Sequence, residues 1–109
     1  MNRPPTLNIF GVTIPVRWLR RRPAWVNPKA VYGGCDFDGK VPRIWVWTGA
    51  DDAEQRSSLL HELGHLALYM KRVNLSDDDE ETAVSAIEDV VDDVLTNNPA
   101  LVDLYRNEG

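Results

Sequence analysis

The chain predicts an α+β fold, in which a small β-sheet is followed by two antiparallel helices. β-Branched and aromatic residues dominate the segments before residue 48, whereas a helical period of apolar residues runs through 51–72 and again through 77–96. Strands followed by helices, without alternation, are typical of α+β proteins. With 109 residues the chain has the length of one small domain. We therefore expect residues 1–109 to form a single domain.

The first third of the chain is the least defined part of this prediction. Residues 6–18 are rich in β-branched and aromatic side chains and indicate one or two short strands, broken near Gly11 and Pro15. Residues 19–29 hold several arginines and two prolines, a composition typical of a loop. Residues 1–29 are thus expected to contribute N-terminal strands and a loop.

Two further strands are predicted over residues 30–36 and 41–48. The Asp38-Gly39 pair between them is a hairpin signal. Pro42 cannot donate a ladder hydrogen bond, so we expect the second strand at a sheet edge. Such an edge could bind an extended peptide by strand addition.

Helical periodicity begins near residue 51. The first helix is predicted over 51–72, the second over 77–96 with Ser76 or Asp77 as its N-cap, and a short last helix over 100–106. The first helix carries one apolar stripe, formed by Leu59, Leu63, Leu66 and Met70. The turn between the two long helices is short, so we expect them to pack as antiparallel neighbours.

The first helix contains His61-Glu62-Leu63-Gly64-His65, which fits the pattern H-E-x-x-H. Residues four apart lie on one helix face, so both imidazoles can bind one metal ion. Glu62 is displaced around the helix, where it can take a proton from an attacking water and pass it to the leaving amine. Nitrogen ligands suit zinc, and the pattern therefore predicts one zinc ion per chain with Glu62 as the general base.

A catalytic zinc usually has three protein ligands, and the chain has only two histidines. Metzincins would need glycine at 68 and histidine at 71, where Leu68 and Lys71 stand. A carboxylate of the second helix is therefore expected as the third ligand. Glu81 is preferred and Glu88 is the alternative, because both lie on a stripe with Val84 that faces partly inward. The remaining acids are expected to form a solvated helix start: Asp77, Asp78, Asp79 and Glu80.

These motifs resemble a known family. Leu-Leu-His-Glu-Leu-Gly-His at 59–65, Glu80-Glu81 at the start of the second helix and Asn-Pro-Ala-Leu at 98–101 are similar to the ImmA/IrrE-type metallopeptidases. The likeness is strongest to the minimal versions carried by phages and mobile elements, and it covers about residues 30–105. The second helix lacks the Phe-Ala pattern common in longer relatives.

The resemblance implies a minimal zincin-like fold, in which a sheet edge lies over the motif helix. By position it implies zinc ligands His61, His65 and Glu81, with Glu62 as general base. Members of the larger type often cleave transcriptional repressors, so the implied substrate is a protein, for example a repressor or another regulator.

Several other side chains are candidates near the site. Tyr32, on the predicted sheet, is the choice for a hydrogen-bond donor to the oxyanion of the transition state. A packing or surface position is the alternative for it, and is also expected for the other two tyrosines. Trp45 and Trp47 alternate on one strand face and either pack in the core or line a substrate cleft. Cys35, the only cysteine, is expected to be buried and inert.

Charge divides the chain into two halves. Residues 1–50 have a net charge of +6 and residues 51–109 of −11, which together give −5. The arginines of the basic half, Arg17 and those at 20–22, could contact nucleic acid or an acidic partner. The acidic overall pI of 4.9 favours a solvated surface instead and argues against nucleic acid.

The function predicted on these grounds is that of a zinc-dependent endopeptidase acting on a peptide or protein. The alternative is a non-enzymatic binding module that uses the zinc fold to contact a regulator protein or nucleic acid. No segment is apolar enough for a membrane span or a signal peptide, so we expect no membrane partner and a cytoplasmic location.

Overall fold

A computed structural model describes residues 2–23, 32–37 and 39–106. Its strands are β1 (Thr6–Ile9), β2 (Val12–Leu19), β3 (Gly33–Asp36) and β4 (Arg43–Trp47). Its helices are α1 (Asp52–Met70), α2 (Asp77–Asn97) and α3 (Pro99–Arg106). The α+β class is confirmed, with all strands preceding all helices. Parts of the predicted loop, strand and hairpin turn, at 24–31 and 38, lie outside the described residues.

The four strands form one mixed sheet in the order β1-β2-β4-β3. β1 and β2 are antiparallel and are joined at Phe10 and Gly11, whose φ angles of 51° and 77° lie in the left-handed region. The predicted break at Gly11 is confirmed, but a break at Pro15 was wrong, since β2 continues through it. Val16 donates its N–H toward β1, to Pro5. The Pro15 nitrogen therefore faces the other side, where pairing with β4 begins only at Val16, and no ladder hydrogen bond is lost.

β4 lies inside the sheet, between β2 and β3, so the expected edge position of residues 41–48 was wrong. Pro42 immediately precedes β4 and therefore stands outside its ladder. The parallel pairing of β2 with β4 requires a crossover, which the sequence pattern did not reveal. β3 takes the edge position instead, and its antiparallel pairing with β4 agrees with the predicted hairpin.

The core lies between one sheet face and α1. Its buried side chains come from β2, β4 and α1, and they are Ile14, Val16, Ile44, Val46 and Leu66. Trp45 alternates with Ile44 and Val46 and so belongs to the opposite sheet face, where it is buried, while Trp47 is partly exposed. This packing orients α1 and thereby determines which of its residues turn toward α2.

α2 begins after Ser76, whose side chain accepts a hydrogen bond from the Asp79 N–H, as the N-cap prediction required. Val84 is 1% exposed and packs on Gly64 of α1, where a Cβ would lie 2.8 Å from Val84 Cγ1. The inward-facing stripe predicted around Val84 is therefore present. No helix in the described part of the chain combines the length and apolar composition needed to cross a membrane.

Candidate metal centre

α1 and α2 bring three ligand-type side chains together. His61 and His65, one turn apart on α1, place their Nε2 atoms 3.2 Å from each other. Glu81 of α2 reaches both rings, with Oε2 3.2 Å from His61 Nε2 and Oε1 2.6 Å from His65 Nε2. These three residues form a group that could hold a metal ion, in which Glu81 occupies the third position.

Two of the three separations between these atoms are close to those around a zinc ion. Zinc–nitrogen bonds of 2.0–2.1 Å at a tetrahedral angle place two ligand atoms about 3.4 Å apart. The Nε2–Nε2 distance and the distance from His61 Nε2 to Glu81 Oε2 are both 3.2 Å. The shorter contact, between His65 and Glu81, is a hydrogen-bond distance, and the Glu81 side chain is 58% exposed and free to adjust.

The hydrogen bonds on the other ring nitrogens explain why these atoms suit a cation. His65 Nδ1 lies 2.6 Å from Glu80 Oε2, and His61 Nδ1 lies 3.3 Å from Glu88 Oε2. A carboxylate only accepts, so each Nδ1 donates to its glutamate, and a metal ion at Nε2 would require that nitrogen to be unprotonated. Both Nε2 atoms and the Glu81 carboxylate converge, in an arrangement that could hold a cation between them.

The charges around His65 also favour a cation at this site. Burial alone lowers the pKa of the His65 imidazole, but the hydrogen bond with Glu80 and the negative charges of Glu62, Glu81 and Glu80 outweigh it and raise the pKa. The carboxylates around His65 therefore favour positive charge at this point of the site.

Glu62 is the second buried polar residue of α1 and is 7% exposed. Its Oε2 atom is buried without a hydrogen-bond partner in the described structure. Burial raises the pKa of this carboxyl, the two histidines lower it, and Glu81 and Glu88 raise it further, with a net upward shift. A carboxylate with one free oxygen and a raised pKa is suited to exchange a proton with a bound water.

Glu62 and two members of the ligand group, His61 and Glu81, open on one cleft of about 370 Å³, which we call the central cleft. Its walls come from the segment leading into β3 and from both long helices: Tyr32, Gly33, Glu54, Ser57, Ser58, His61, Glu62, Glu81 and Glu88. Gly33 lies so close to α1 that a Cβ there would be 3.4 Å from the Ser58 Cβ and 3.5 Å from the Glu62 Cγ. The edge strand thus passes directly over the motif helix.

Tyr32 lies at the rim of the central cleft, as its expected role requires, but its ring also has a packing role. It stacks on Trp47 with a centroid distance of 5.8 Å, and the Arg22 guanidinium lies 4.6 Å from the Trp47 ring centroid. Its carbonyl accepts a hydrogen bond from the Trp47 N–H, which extends the pairing of β3 with β4. The geometry accommodates both the oxyanion interpretation and the packing alternative.

Cys35 is partly buried on β3, beside Glu62. Burial raises the pKa of its thiol to about 12, with further contributions from the charges of Glu62 and Asp36. A thiol of this kind is protonated at neutral pH, so the expectation of an inert cysteine agrees with its environment.

Two glutamates have contacts that sequence reasoning did not assign. Glu80, expected in the solvated helix start, contacts His65, and Glu88, the alternative third ligand, contacts His61 Nδ1 instead of completing the ligand group. Ser57 donates its hydroxyl to Glu88 Oε1 at 2.6 Å. The available signal was the spacing of Ser57 and His61, which places both on one face of α1.

A possible metal site on α1 and α2 is thus the functional feature of the described residues. Comparisons with protein-family models, with curated proteins and with solved structures find no match for the chain. Membership of the ImmA/IrrE-type family stays a prediction from the motifs at 59–65, 80–81 and 98–101.

Proposed function

We propose that the protein is a zinc-dependent endopeptidase of the ImmA/IrrE-like type, with one zinc ion held by His61, His65 and Glu81. The observation that carries the proposal is the position of Glu62, which lines the same cleft as His61 and Glu81 and has a buried oxygen without a partner. A purely structural metal site has no need of such a carboxylate, whereas hydrolysis needs a general base within reach of water.

Each side chain has a defined task in this reaction. A zinc ion held by His61, His65 and Glu81 would lower the pKa of a bound water toward about 7 and would polarise a carbonyl oxygen. Glu62 accepts the proton of the attacking water and later donates it to the leaving nitrogen of the peptide bond. The raised pKa of Glu62 supports the second step, because a carboxyl that holds its proton more firmly can also act as an acid.

The edge strand β3 supports binding of an extended peptide. β3 lies at the end of the sheet, and Gly33 at its start lines the central cleft. A substrate backbone added alongside β3 would pass over Glu62 and the two histidines. Tyr32, at the entrance to the same strand, is the proposed donor to the oxyanion. The edge predicted at residues 41–48 is thus replaced in this role by β3.

The charge of the central cleft indicates which peptides it favours. Four glutamates line it, namely Glu54, Glu62, Glu81 and Glu88. One zinc ion would offset two negative charges, so the cleft keeps a negative potential. We expect a substrate segment with lysine or arginine near the scissile bond, within a protein such as a repressor or another regulator.

The decisive experiment compares the zinc-loaded wild-type protein with Glu62→Gln. The amide keeps the shape of the side chain but cannot take up a proton, so we expect a loss of peptide cleavage of about 10²- to 10⁴-fold with unchanged zinc content. Cleavage is measured on a quenched fluorescent peptide library, and zinc by elemental analysis. Asp103→Asn, an exposed acid of α3, is the matched control for the charge change.

Two outcomes would contradict the proposal. Full activity of Glu62→Gln would remove Glu62 from the reaction. Zinc binding without cleavage of any library peptide would favour the binding-module alternative, for which the exposed Arg20, Arg21 and Arg22 offer a contact surface.

A further inference from the structure

The contacts of Glu80 and Glu88 form a second layer around the ligand group. Both residues belong to α2 and both face an Nδ1 atom, Glu80 at His65 and Glu88 at His61. The two nitrogens of an imidazole point to different sides of the ring, so a carboxylate at Nδ1 does not reach a metal at Nε2. These two glutamates therefore contact the histidine rings and would not bind the metal ion directly.

We propose that Glu80 and Glu88 are positioning residues that fix the ring orientation and the tautomer of His65 and His61. Ser57 extends this role as the hydrogen-bond donor to Glu88. The inference rests on the metal site of the proposed function, but it does not depend on peptide cleavage.

Helix geometry allows one helix to serve both rings. His61 and His65 are separated by about 6 Å along α1, whereas Glu80 and Glu88 are separated by about 12 Å along α2. The two carboxylates therefore reach the pair of rings from its two ends, and Glu81 approaches between them. A single segment of α2 thus supplies the third ligand and both supports.

Burial distinguishes the three glutamates. The side chain of Glu88 is 13% exposed, that of Glu80 31% and that of Glu81 58%. A buried carboxylate needs partners for both oxygens, and Glu88 has them, with Ser57 on Oε1 and His61 on Oε2. Glu81, the most exposed, has the freedom expected of a ligand at the open side of a cleft.

Glu80 and Glu88 should increase the affinity of the site for a metal ion. A carboxylate at Nδ1 makes the imidazole a stronger donor at Nε2 and holds the ring in place, and loss of such a partner typically weakens metal binding 10- to 100-fold. We expect Glu80→Ala and Glu88→Ala to lose zinc affinity by about this factor. Glu80→Gln and Glu88→Gln should lose less, because the amide oxygen still accepts from Nδ1–H but carries no charge.

The experiment measures zinc affinity by competition with a chromophoric chelator, together with the visible spectrum of the cobalt-substituted protein. The matched control is Asp89→Asn, which removes one exposed charge from α2 next to Glu88 and should bind zinc like the wild type. Circular dichroism of the metal-free proteins shows whether each variant is folded. If the alanine variants fail to fold, Ser57→Ala decides, with an expected affinity loss of a few-fold through Glu88 alone.

The outcomes separate this inference from the proposed function. A wild-type protein that binds no zinc overturns the metal site and this inference with it. If the wild-type protein binds zinc and the glutamate variants bind it with the same affinity and an unaltered cobalt spectrum, this inference alone is overturned. Lower stability of the metal-free variants with unchanged zinc affinity would make the two glutamates structural, and it would overturn the positioning role as well.

Discussion

α1 contacts the sheet on one side and α2 on the other, and different interactions stabilise the two sides. Toward the sheet, Leu66 is 1% exposed and packs with the strand residues of the core. Toward α2, the side chains of His61 and His65 are 24% and 15% exposed and are held by carboxylates. The sheet side is stabilised by apolar area removed from water, whereas the α2 side depends on directed contacts between polar atoms.

This difference predicts different responses to substitution. Hydrophobic packing tolerates changes of shape at a moderate cost, but a ligand group requires each atom to be placed within a fraction of an ångström. Substitutions on the sheet side should therefore change the stability of the fold. Substitutions on the α2 side should mainly change metal affinity.

The largest expected effect on stability is that of Leu66→Ala. Truncation of a fully buried leucine leaves a cavity and should lower the free energy of unfolding by about 2–5 kcal/mol. Urea denaturation of the metal-free protein measures it. Leu104→Ala on α3, where the side chain is 67% exposed, is the control and should change little. A loss as small as that of the control would show that α1 is not packed on the sheet as described.

Gln55→Leu tests a buried polar side chain on the sheet side of α1, where the core contacts are apolar. Gln55 is 2% exposed, donates to the carbonyls of Thr48 and Ala50 and accepts from Arg3. Leucine leaves these groups unpaired, so we expect a loss of about 1–3 kcal/mol in the same denaturation assay. Asn97→Ala, which removes an exposed amide bonded to Asp93, should cost much less. Equal losses would contradict the view that burial makes the Gln55 contacts important.

Gly64→Ala tests the α2 side at the contact between Gly64 and Val84. A Cβ there would lie 2.8 Å from Val84 Cγ1, so the Val84 side chain or α2 must shift. Better helix propensity, worth about 1 kcal/mol, offsets much of the overpacking cost. We expect little change in stability but a roughly tenfold weaker zinc affinity, because Glu81 moves with Val84.

The double variant Gly64→Ala/Val84→Ala removes the clash and should recover part of the zinc affinity. Chelator competition on both variants provides the measurement. A stability loss without any effect on zinc would refute the separation of the two sides.

The reactivity of Cys35 reports on the charge of Glu62 from the sheet side. With a thiol pKa of about 12, its alkylation by iodoacetamide at pH 8 should be slow and should rise tenfold per pH unit. Unfolding restores a pKa near 8.5 and should speed the reaction by a factor on the order of 10³. Glu62→Gln, which removes a charge that raises the pKa, should speed it several-fold. Rapid alkylation of the folded protein would contradict the described environment.

Local signals in the sequence predicted the helices well. The Ser76 cap, the apolar period of α1 and the H-E-x-x-H spacing involve residues within one or two turns, where chain geometry alone determines which side chains are neighbours. The choice of Glu81 as third ligand also agrees with the observed geometry, since the short turn and the stripe with Val84 restrict how α2 can face α1.

The order of the strands and the supports of the histidines were not predicted. β4 is central because it pairs in parallel with β2, a contact between distant segments that leaves no local pattern. Glu80 resembles the other acids at the start of α2 in sequence, and the stripe that singled out Glu88 did not reveal that it faces His61 Nδ1.

The sequence by itself determined the helices, their caps and the residue types able to bind a metal, because these depend on neighbours along the chain. Tertiary structure alone decided which strand is the edge, which carboxylate turns toward Nε2 and which toward Nδ1, and that Gln55 is buried. Those features depend on how α1 is held between the sheet and α2, and that position results from many weak contacts between residues far apart in the chain.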